Sequence, residues 1–155
     1  MAFSLTSSAF RDGDAVPVRY ACTGENVSPP FRWADAPQGT KSLALVCHDP
    51  DAPSGTFHHW AVFDIPPDMS GLPEALPPMP DLPGGLRQAV NDFGNPGYGG
   101  PCPPKGHGIH HYHFRLVALD VASLGLPASA SCREVAAAAG RHMLAIAELV
   151  ALFER

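Results

Sequence analysis

"GIHHYHFRLVALD", residues Gly108–Asp120, has the most regular pattern in the chain. Its side chains alternate between two sets, as in a strand, where successive residues point to opposite faces of a sheet. The segment is therefore predicted to be a long strand, with the neighbours His110 and His111 pointing in opposite directions. One face is lined by His110, Tyr112, Phe114, Leu116 and Ala118, and the other by His111, His113, Arg115, Val117 and Leu119.

A second strand is predicted within "KSLALVCHDPDAP" (Lys41–Pro53). The strand ends at Pro50, because proline cannot donate a hydrogen bond to a neighbouring strand. Asp49 therefore lies at a strand end on an otherwise apolar face, where a carboxylate requires a partner. The apolar face carries Leu43, Leu45, Cys47 and Asp49, and the opposite face carries Ala44, Val46 and His48.

A third strand is predicted within "TFHHWAVFDIP" (Thr56–Pro66). Its adjacent histidines, His58 and His59, point to opposite faces and cannot both ligate one ion from a regular strand. Strict alternation groups His59 with Ala61, Phe63 and Ile65, and His58 with Trp60 and Val62.

Outside these strands, two segments receive different predictions. Seven prolines from Pro66 to Pro83 predict a long surface loop without regular structure. The segment Ser131–Arg155 is predicted to be helical, because Ser131 and Glu134 have capping-box spacing and apolar residues recur at helical intervals. Gly140 is expected to bend or divide this helix.

The expected fold is one mainly β domain, residues 1–155, with a short helical C-terminus.

Composition excludes several classes of function. The net charge is −5 and there is no run of Lys and Arg, so nucleic-acid binding is not expected. No apolar run approaches the ~20 residues of a membrane-spanning helix, and the N-terminus lacks a signal-peptide pattern, so a cytoplasmic location is expected. The cysteines form no CxxC pair and are expected to be free thiols in such a reducing compartment. They are Cys22, Cys47, Cys102 and Cys132.

The histidine-rich segment "GPCPPKGHGIHHY" (Gly100–Tyr112) leads into the strand predicted for Gly108–Asp120. It could hold a metal or a nucleophile. However, the spacing of Cys102, His107, His110 and His111 matches no common zinc pattern, so no metal is expected. Cys102 beside a histidine could act as a nucleophile, but the sequence shows no environment that would favour a thiolate. No catalytic residue is therefore assigned.

An anion pocket accounts for more of these groups. His59 and His110 can donate N–H groups and Tyr112 an O–H group, while Asp49 can hold a histidine in place. Backbone amides around Gly99 and Gly100 can also face an anion, because glycine permits close approach.

Several motifs resemble those of the phosphatidylethanolamine-binding protein family, also called the Raf kinase inhibitor protein family. "DPDAP" (Asp49–Pro53), "HHW" (His58–Trp60) and "PPKGHGIHHY" (Pro103–Tyr112) resemble its two signature regions. "GENVSPP", "NDFG" and "GYGGPCPP" resemble its bacterial branch, the YbhB/YbcL type, and "GRHMLAIAELVALFER" is similar to the last helix of that branch. The resemblance extends from about Phe10 to Arg155.

This resemblance implies a Greek-key antiparallel β-sandwich with short peripheral and C-terminal helices. It also implies a pocket for small anions, such as phosphate, acetate-like carboxylates and phospholipid head groups, and no cofactor. The implied pocket residues are Asp49, Asp51, Ala52, Pro53, His59, Gly99, Gly100, Pro103, Pro104, His110 and Tyr112.

The resemblance further implies a binding or inhibitory protein that acts on a partner such as a kinase or protease, and a homodimer. The alternative is a small hydrolase that uses the pocket His/Asp pair as general base. Two positions depart from the family pattern: His111 stands where arginine is usual, and His58 where bacterial members often have an aromatic residue. The first change affects an ion pair on the outer face of the strand more than the pocket.

Overall fold

The computed structural model describes residues 2–155, which form two antiparallel sheets packed face to face. The strands are β1 (Ser4–Thr6), β2 (Phe31–Ala34), β3 (Ser42–Asp49), β4 (Phe57–Ile65), β5 (Gly71–Leu72), β6 (Arg87–Gln88), β7 (His110–Leu119) and β8 (Met143–Phe153). The helix α1 (Cys132–Arg141) and two 3-10 turns, Val18–Tyr20 and Pro83–Gly85, complete the secondary structure. The sheets have the strand orders β1-β2-β5 and β6-β4-β3-β7-β8, which confirms the mainly β sandwich.

Strand β7 lies between β3 and β8 and pairs with both of them over most of its length. Its predicted alternation is confirmed: Tyr112, Phe114 and Leu116 are buried, whereas His111 and Arg115 are exposed. The face that begins with His110 and Tyr112 therefore points into the space between the sheets.

The main core lies between the two sheets. Phe31 of β2 packs against Phe114 of β7 and Trp60 of β4, with ring centroids 5.0 and 6.2 Å apart. Full burial of each such side chain contributes about 2 kcal/mol. This core fixes the ends of β3, β4 and β7 relative to one another.

The helix α1 covers part of the outer face of the larger sheet. The predicted capping box is present, because Ser131 accepts from the backbone of Glu134 and the Glu134 side chain accepts from the backbone of Ser131. Val135 and Ala139 pack against β3 side chains, including Val46, in a second apolar cluster. No helix within residues 2–155 is long and apolar enough to cross a bilayer.

The helical prediction for the C-terminal segment is wrong beyond Arg141. Residues Met143–Phe153 form β8, which pairs with β7 along its whole length, so the last helix expected from the resemblance is also a strand here. Alanine, leucine and glutamate favour helix, but Ala147, Leu149 and Ala151 also recur at two-residue intervals and are the buried residues. Pairing and burial against β7 outweigh the local helix propensity.

A β-bulge changes the faces predicted for β4. His59 lies unpaired between two register pairs, His48 with His58 and Cys47 with Trp60. His58 and His59 still point to opposite sides, but the extra residue reverses the alternation that follows it. Trp60 and Val62 therefore join the core between the sheets, whereas Ala61 and Phe63 face α1.

The proline-rich segment Pro66–Pro83 is only partly the surface loop that was predicted. It contains β5, which pairs with β2 and extends the smaller sheet. Leu72 and Leu82 are buried in the main core. Prolines flank these apolar residues without interrupting the two-residue strand, so the segment contributes to folding as well as to the surface.

The expectation of four free thiols is wrong. Cys22 and Cys102 form a disulfide, with Cα atoms 5.3 Å apart and a sequence separation of 80. Cys47 and Cys132 are free and buried, and burial raises the pKa of both thiols. The buried thiols are therefore unreactive, and the disulfide ties the loop before β7 to the turn after Tyr20.

Candidate functional site

A cleft of about 250 Å³ opens where the ends of β3, β4 and β7 meet the loops that surround them. The sandwich core holds these strand ends together, so polar groups distant in sequence converge. Eight residues predicted from the sequence line the cleft: Asp49, Ala52, Pro53, His59, Pro103, Pro104, His110 and Tyr112.

The floor of the cleft contains a buried carboxylate–imidazole pair. His110 and Asp49 are 1% and 3% exposed, and His110 Nδ1 lies 2.6 Å from Asp49 Oδ2. Because an ionised carboxylate only accepts, Nδ1 carries the hydrogen and Nε2 is the other polar atom of the ring. Asp49 Oδ1 accepts from the backbone N–H of Asp51 at 2.8 Å. These two hydrogen bonds fix the Asp49 carboxylate and, through it, the imidazole.

His59 forms a second fixed imidazole beside this pair. Its Nδ1 donates to the carbonyl of Gly99 at 2.7 Å, and the backbone N–H of Gly99 donates to the carbonyl of His59 at 3.0 Å. Burial lowers the pKa of His59. At neutral pH the ring is therefore neutral, with a lone pair on Nε2.

Tyr112 has a buried hydroxyl with no hydrogen-bond partner among residues 2–155. Its ring packs edge-on against His59, with centroids 5.3 Å apart, and the residue is 1% exposed. Burial, followed by the nearby Asp49 charge, raises the pKa of the phenol well above its ordinary value. Tyr112 therefore keeps its O–H proton and is a donor on the cleft wall.

The loop that precedes β7 is attached closely to the turn after Tyr20. Gly100 leaves no room for a side chain, because a Cβ atom there would lie 2.0 Å from the carbonyl oxygen of Tyr20. The backbone N–H of Gly100 donates to Asn26 Oδ1 at 2.8 Å, and the Cys22–Cys102 disulfide adds a covalent link. Gly99 and Gly100 thus support the cleft through their backbone and do not line it.

Asp51 also lies outside the cleft, on the outer side of β7. Its Oδ2 accepts from the backbone N–H of His111 at 2.8 Å and from His111 Nδ1 at 2.7 Å. His111 therefore takes up a carboxylate partner on the outer face, where family members usually have arginine. Asp51 positions the loop, and its carboxylate is not available to a group in the cleft.

Sequence reasoning missed four residues that line the cleft: Ser54, Phe57, Phe93 and Cys102. Phe57 and Phe93 contact each other, with ring centroids 4.7 Å apart, and both pack against His59. The motif "NDFG" contains Phe93, but nothing in its spacing indicates that it returns to β4. Asp92 brings it there, because its backbone N–H donates to the His58 carbonyl at 2.9 Å and its Oδ2 accepts from the His58 N–H at 2.7 Å.

His107 lies on the loop before β7 and contacts the buried pair from that position. Its Nδ1 is 2.6 Å from His110 Nε2. One of these two nitrogens donates and the other accepts, so His107 occupies the polar atom of His110 that Asp49 does not use. Among residues 2–155, no group of three or more His, Cys, Asp or Glu side chains has the arrangement of a metal site.

Comparisons with known proteins identify the family to which the chain belongs. The family model for phosphatidylethanolamine-binding protein matches residues 6–154. A UPF0098 protein of Aquifex aeolicus is 48% identical over 149 residues, which cover 96% of this chain and 86% of that protein. The UPF0098 protein YbhB of Escherichia coli is 40% identical over 159 residues, covering 96% of this chain and 98% of YbhB.

A solved structure is also similar over the whole fold. The crystal structure of Escherichia coli YbcL, described as a new member of the mammalian PEBP family, has a TM-score of 0.94 at 34% identity. The match covers 100% of this chain and 99% of YbcL. Since the family model and these relatives extend over nearly all of the sequence, the chain belongs to the phosphatidylethanolamine-binding protein family, in its YbhB/YbcL-type branch.

Proposed function

We propose that this protein binds a small phosphoryl or carboxylate group in the cleft and works as a binding protein rather than an enzyme. The observation that supports this most strongly is the buried Tyr112 hydroxyl, which has no partner among residues 2–155. Proteins rarely leave a buried donor unpaired, because doing so costs about 1–3 kcal/mol. An anion in the cleft would accept this hydrogen bond.

The two imidazoles complete the proposed site. Protonated His59 would donate from Nε2, because Nδ1 is already bound to Gly99. His110 would donate from Nε2 as an imidazolium once His107 moves aside, with its Nδ1–H still held by Asp49. Charge-assisted hydrogen bonds of this kind are roughly twice as strong as neutral ones. The cleft is large enough for a phosphoryl group and a short substituent, such as a phospholipid head group.

We expect Tyr112→Phe to weaken the binding of inorganic phosphate about tenfold, since one hydrogen bond to a charged group is lost. The same change should leave the free energy of unfolding unchanged or raise it by about 1 kcal/mol, because it removes an unpaired buried hydroxyl. Titration calorimetry and urea unfolding measure the two quantities.

The matched control for that experiment is Tyr98→Phe. Tyr98 is also a tyrosine packed near the cleft, but its hydroxyl donates to the Tyr20 carbonyl at 2.7 Å. This change should lower stability and leave phosphate affinity nearly unchanged. Equal phosphate affinity in Tyr112→Phe and the unmodified protein would contradict the proposal.

The affinity for an anion should increase as the pH falls from 8 to 5.5. Burial lowers the pKa of free His59, so the ring is neutral at pH 7, whereas a bound anion favours the protonated ring. Binding therefore takes up a proton, and lower pH favours the complex. Dimethyl phosphate is the suitable ligand because its own charge is constant over this range. A flat profile would exclude a protonated histidine, and His59→Gln should reduce the pH dependence because only His110 then remains.

We also propose that the cleft or its rim contacts a partner protein, such as a kinase or protease. Two large apolar side chains, Phe93 and Ile109, are 45% and 53% exposed beside the cleft. Exposed apolar groups next to a polar pocket are typical of binding surfaces.

Homodimerisation and the cytoplasmic location remain predictions. The Cys22–Cys102 disulfide argues against the cytoplasmic location, because disulfides persist mainly in oxidising compartments.

A hydrolase remains the second candidate, because the buried His110–Asp49 pair has the geometry of a general base and its orienting carboxylate. Against it, Cys102 lines the cleft as part of a disulfide and cannot act as a nucleophile. Incubation with p-nitrophenyl phosphate and p-nitrophenyl acetate distinguishes the two. Sustained turnover that is lost in His110→Gln would favour the hydrolase.

A further inference from the structure

A groove of about 410 Å³ lies on the outer face of the larger sheet, on the side opposite the cleft. Strands β3, β4 and β7 form its floor, α1 forms one wall, and the first residues of β8 lie at its other side. Its volume is within the ~300–1,000 Å³ of typical small-molecule sites. The function proposed above makes no use of this groove.

Three histidines form a row across three adjacent strands. Two of them, His48 and His58, line one end of the groove. His48 of β3 pairs directly with His58 of β4 and with His113 of β7. The ring of His48 is 6.2 Å from that of His58 and 5.0 Å from that of His113, measured between centroids. Such a row gives the groove a polar end on a sheet face that is otherwise apolar near α1.

The surroundings of His48 show the sign of charge that this end favours. Burial, followed by the charges of Arg115, His113 and His58, lowers the pKa of His48 to about 4, while Glu148 acts in the opposite direction. His48 is therefore neutral at pH 7 and can donate one N–H group to a ligand. At His48 the charge of Arg115 has a larger effect than that of Glu148, so a negative group beside His48 would be attracted by the guanidinium.

His58 has a buried nitrogen without a partner. The residue is 8% exposed, and its Nδ1 makes no hydrogen bond with any group in residues 2–155. Asp92 Oδ2 lies 3.5 Å away but already accepts from the backbone N–H of His58 at 2.7 Å. Since Nδ1 is buried beside Asp92, His58 contributes its ring to the groove wall and does not present this nitrogen to the groove.

Arg115 supplies donors as well as charge. Its Nε donates to Glu148 Oε2 at 2.5 Å, and Glu148 also contacts His113 Nδ1 at 3.2 Å. The two terminal nitrogens of Arg115 make no hydrogen bond with residues 2–155. The end of a guanidinium presents two parallel N–H groups that match the two oxygens of a carboxylate.

The other part of the groove is apolar. Val117 lies on its floor, Ala139 of α1 on its wall, and Met143 and Ile146 of β8 at its edge. Met143 and Ile146 are 47% and 43% exposed, although both are large and apolar. An apolar ligand chain lying along this edge would remove part of their surface from water, at about 25 cal/mol per Å².

We propose that this groove is a second ligand site, independent of the cleft, and that it binds a small monocarboxylate with an unbranched apolar chain. The carboxylate lies on the terminal nitrogens of Arg115 and beside the imidazoles of His48 and His58. The chain extends between α1 and β8 against Val117 and Ile146. A cationic ligand is disfavoured by Arg115, and the histidine row does not have the arrangement of a metal site within residues 2–155.

The test uses hexanoate with the full-length protein labelled with ¹⁵N. Hexanoate should shift the amide resonances of β8 and α1 around Gly140 and Ile146, whereas 1-hexanol and hexylamine should do so at least tenfold more weakly. Because hexanoate is an anion and could also enter the cleft, the titration is repeated with Tyr112→Phe. The shifts around the groove should be unchanged in that variant.

Two variants then test the placement. Gly140→Leu fills the groove, because a Cβ atom at Gly140 meets nothing within 4 Å and the position is helical. It should weaken hexanoate binding at least tenfold without loss of stability, whereas Ala137→Leu, at an exposed position of α1 outside the groove, should not. Arg115→Gln should also weaken hexanoate binding about tenfold while the weak binding of 1-hexanol is retained.

Three results would overturn the proposal. The first is a set of hexanoate shifts confined to the cleft. The second is unchanged affinity in Gly140→Leu. The third is equal weakening of hexanoate and 1-hexanol by Arg115→Gln, which would mean that the arginine holds the groove open rather than binding the carboxylate. None of these results would affect phosphate binding in the cleft, so failure here is distinguishable from failure of the proposed function.

Discussion

Replacing Cys22 and Cys102 together with alanine is expected to lower the free energy of unfolding by about 4 kcal/mol, because the disulfide closes a loop of about 80 residues. Such a crosslink removes conformations mainly from the unfolded chain. For a protein of 155 residues this corresponds to a fall in melting temperature of roughly 10 °C. Urea unfolding at fixed pH and calorimetry measure both effects.

The loop should nevertheless stay in place in the folded double variant. Its backbone remains attached to the turn after Tyr20 through the bond from Gly100 to Asn26 and through the Cys22 N–H, which donates to the Pro101 carbonyl at 3.0 Å. Phosphate affinity should therefore change less than threefold. The loss of stability is the main effect, and the loop geometry is set by hydrogen bonds and close packing.

Reducing agent provides the matched control for the disulfide experiment. It should destabilise the unmodified protein to about the level of the double variant, and it should have no effect on the double variant itself. Cys47 and Cys132 are already thiols, so they contribute nothing to the difference. Equal stability of the oxidised and reduced forms would show that the disulfide does not constrain the unfolded chain as described.

The sequence could not have revealed this pairing. Cys22 and Cys102 belong to different loops, and only the folded sandwich brings their Cα atoms to 5.3 Å. Disulfide pairing depends on distance in space, whereas sequence spacing identifies only local patterns such as CxxC. The expected reducing compartment then favoured four free thiols, and this expectation is wrong for Cys22 and Cys102.

Strand alternation predicted the inner part of the cleft well. His110 and Tyr112 on β7 and Asp49 on β3 lie where the two-residue period places them, because both strands are regular at these positions. His59 reaches the same cleft for a different reason: it is the extra residue of a bulge, which no period predicts. The resemblance to the family included His59 although the alternation grouped it with the wrong neighbours.

Segments with ambiguous periodicity were predicted less well. Residues Met143–Phe153 are rich in helix-forming side chains, and both a helical and a strand period can be read in them. The free edge of β7, with which this segment pairs, decides between the two periods. A contact between distant parts of the chain cannot be read from the local sequence. Likewise, Phe93 and His107 come to the cleft through loops whose course depends on tertiary contacts.

Asp49→Ala should lower the free energy of unfolding by about 3 kcal/mol, because removing one partner of a buried pair leaves the other without its hydrogen bond. Asp49 and His110 are 3% and 1% exposed, so water cannot replace the lost contact. The backbone N–H of Asp51 also loses its acceptor. The imidazole of His110 then keeps only its contact with His107, and phosphate affinity should fall with the stability.

The neighbouring pair, Asp51 and His111, is a matched control for this change, because it also links the end of β3 to the start of β7. Asp51 and His111 form a similar contact at 2.7 Å, but their side chains are 39% and 50% exposed. Asp51→Ala should therefore cost less than about 1 kcal/mol, since solvent screens exposed pairs and replaces their hydrogen bonds. A double-mutant cycle of Asp49→Ala with His110→Ala should give a coupling of at least 1 kcal/mol. If Asp49→Ala and Asp51→Ala cost the same, burial is not what makes the inner pair strong, and Asp49 would lose its assigned role in positioning His110.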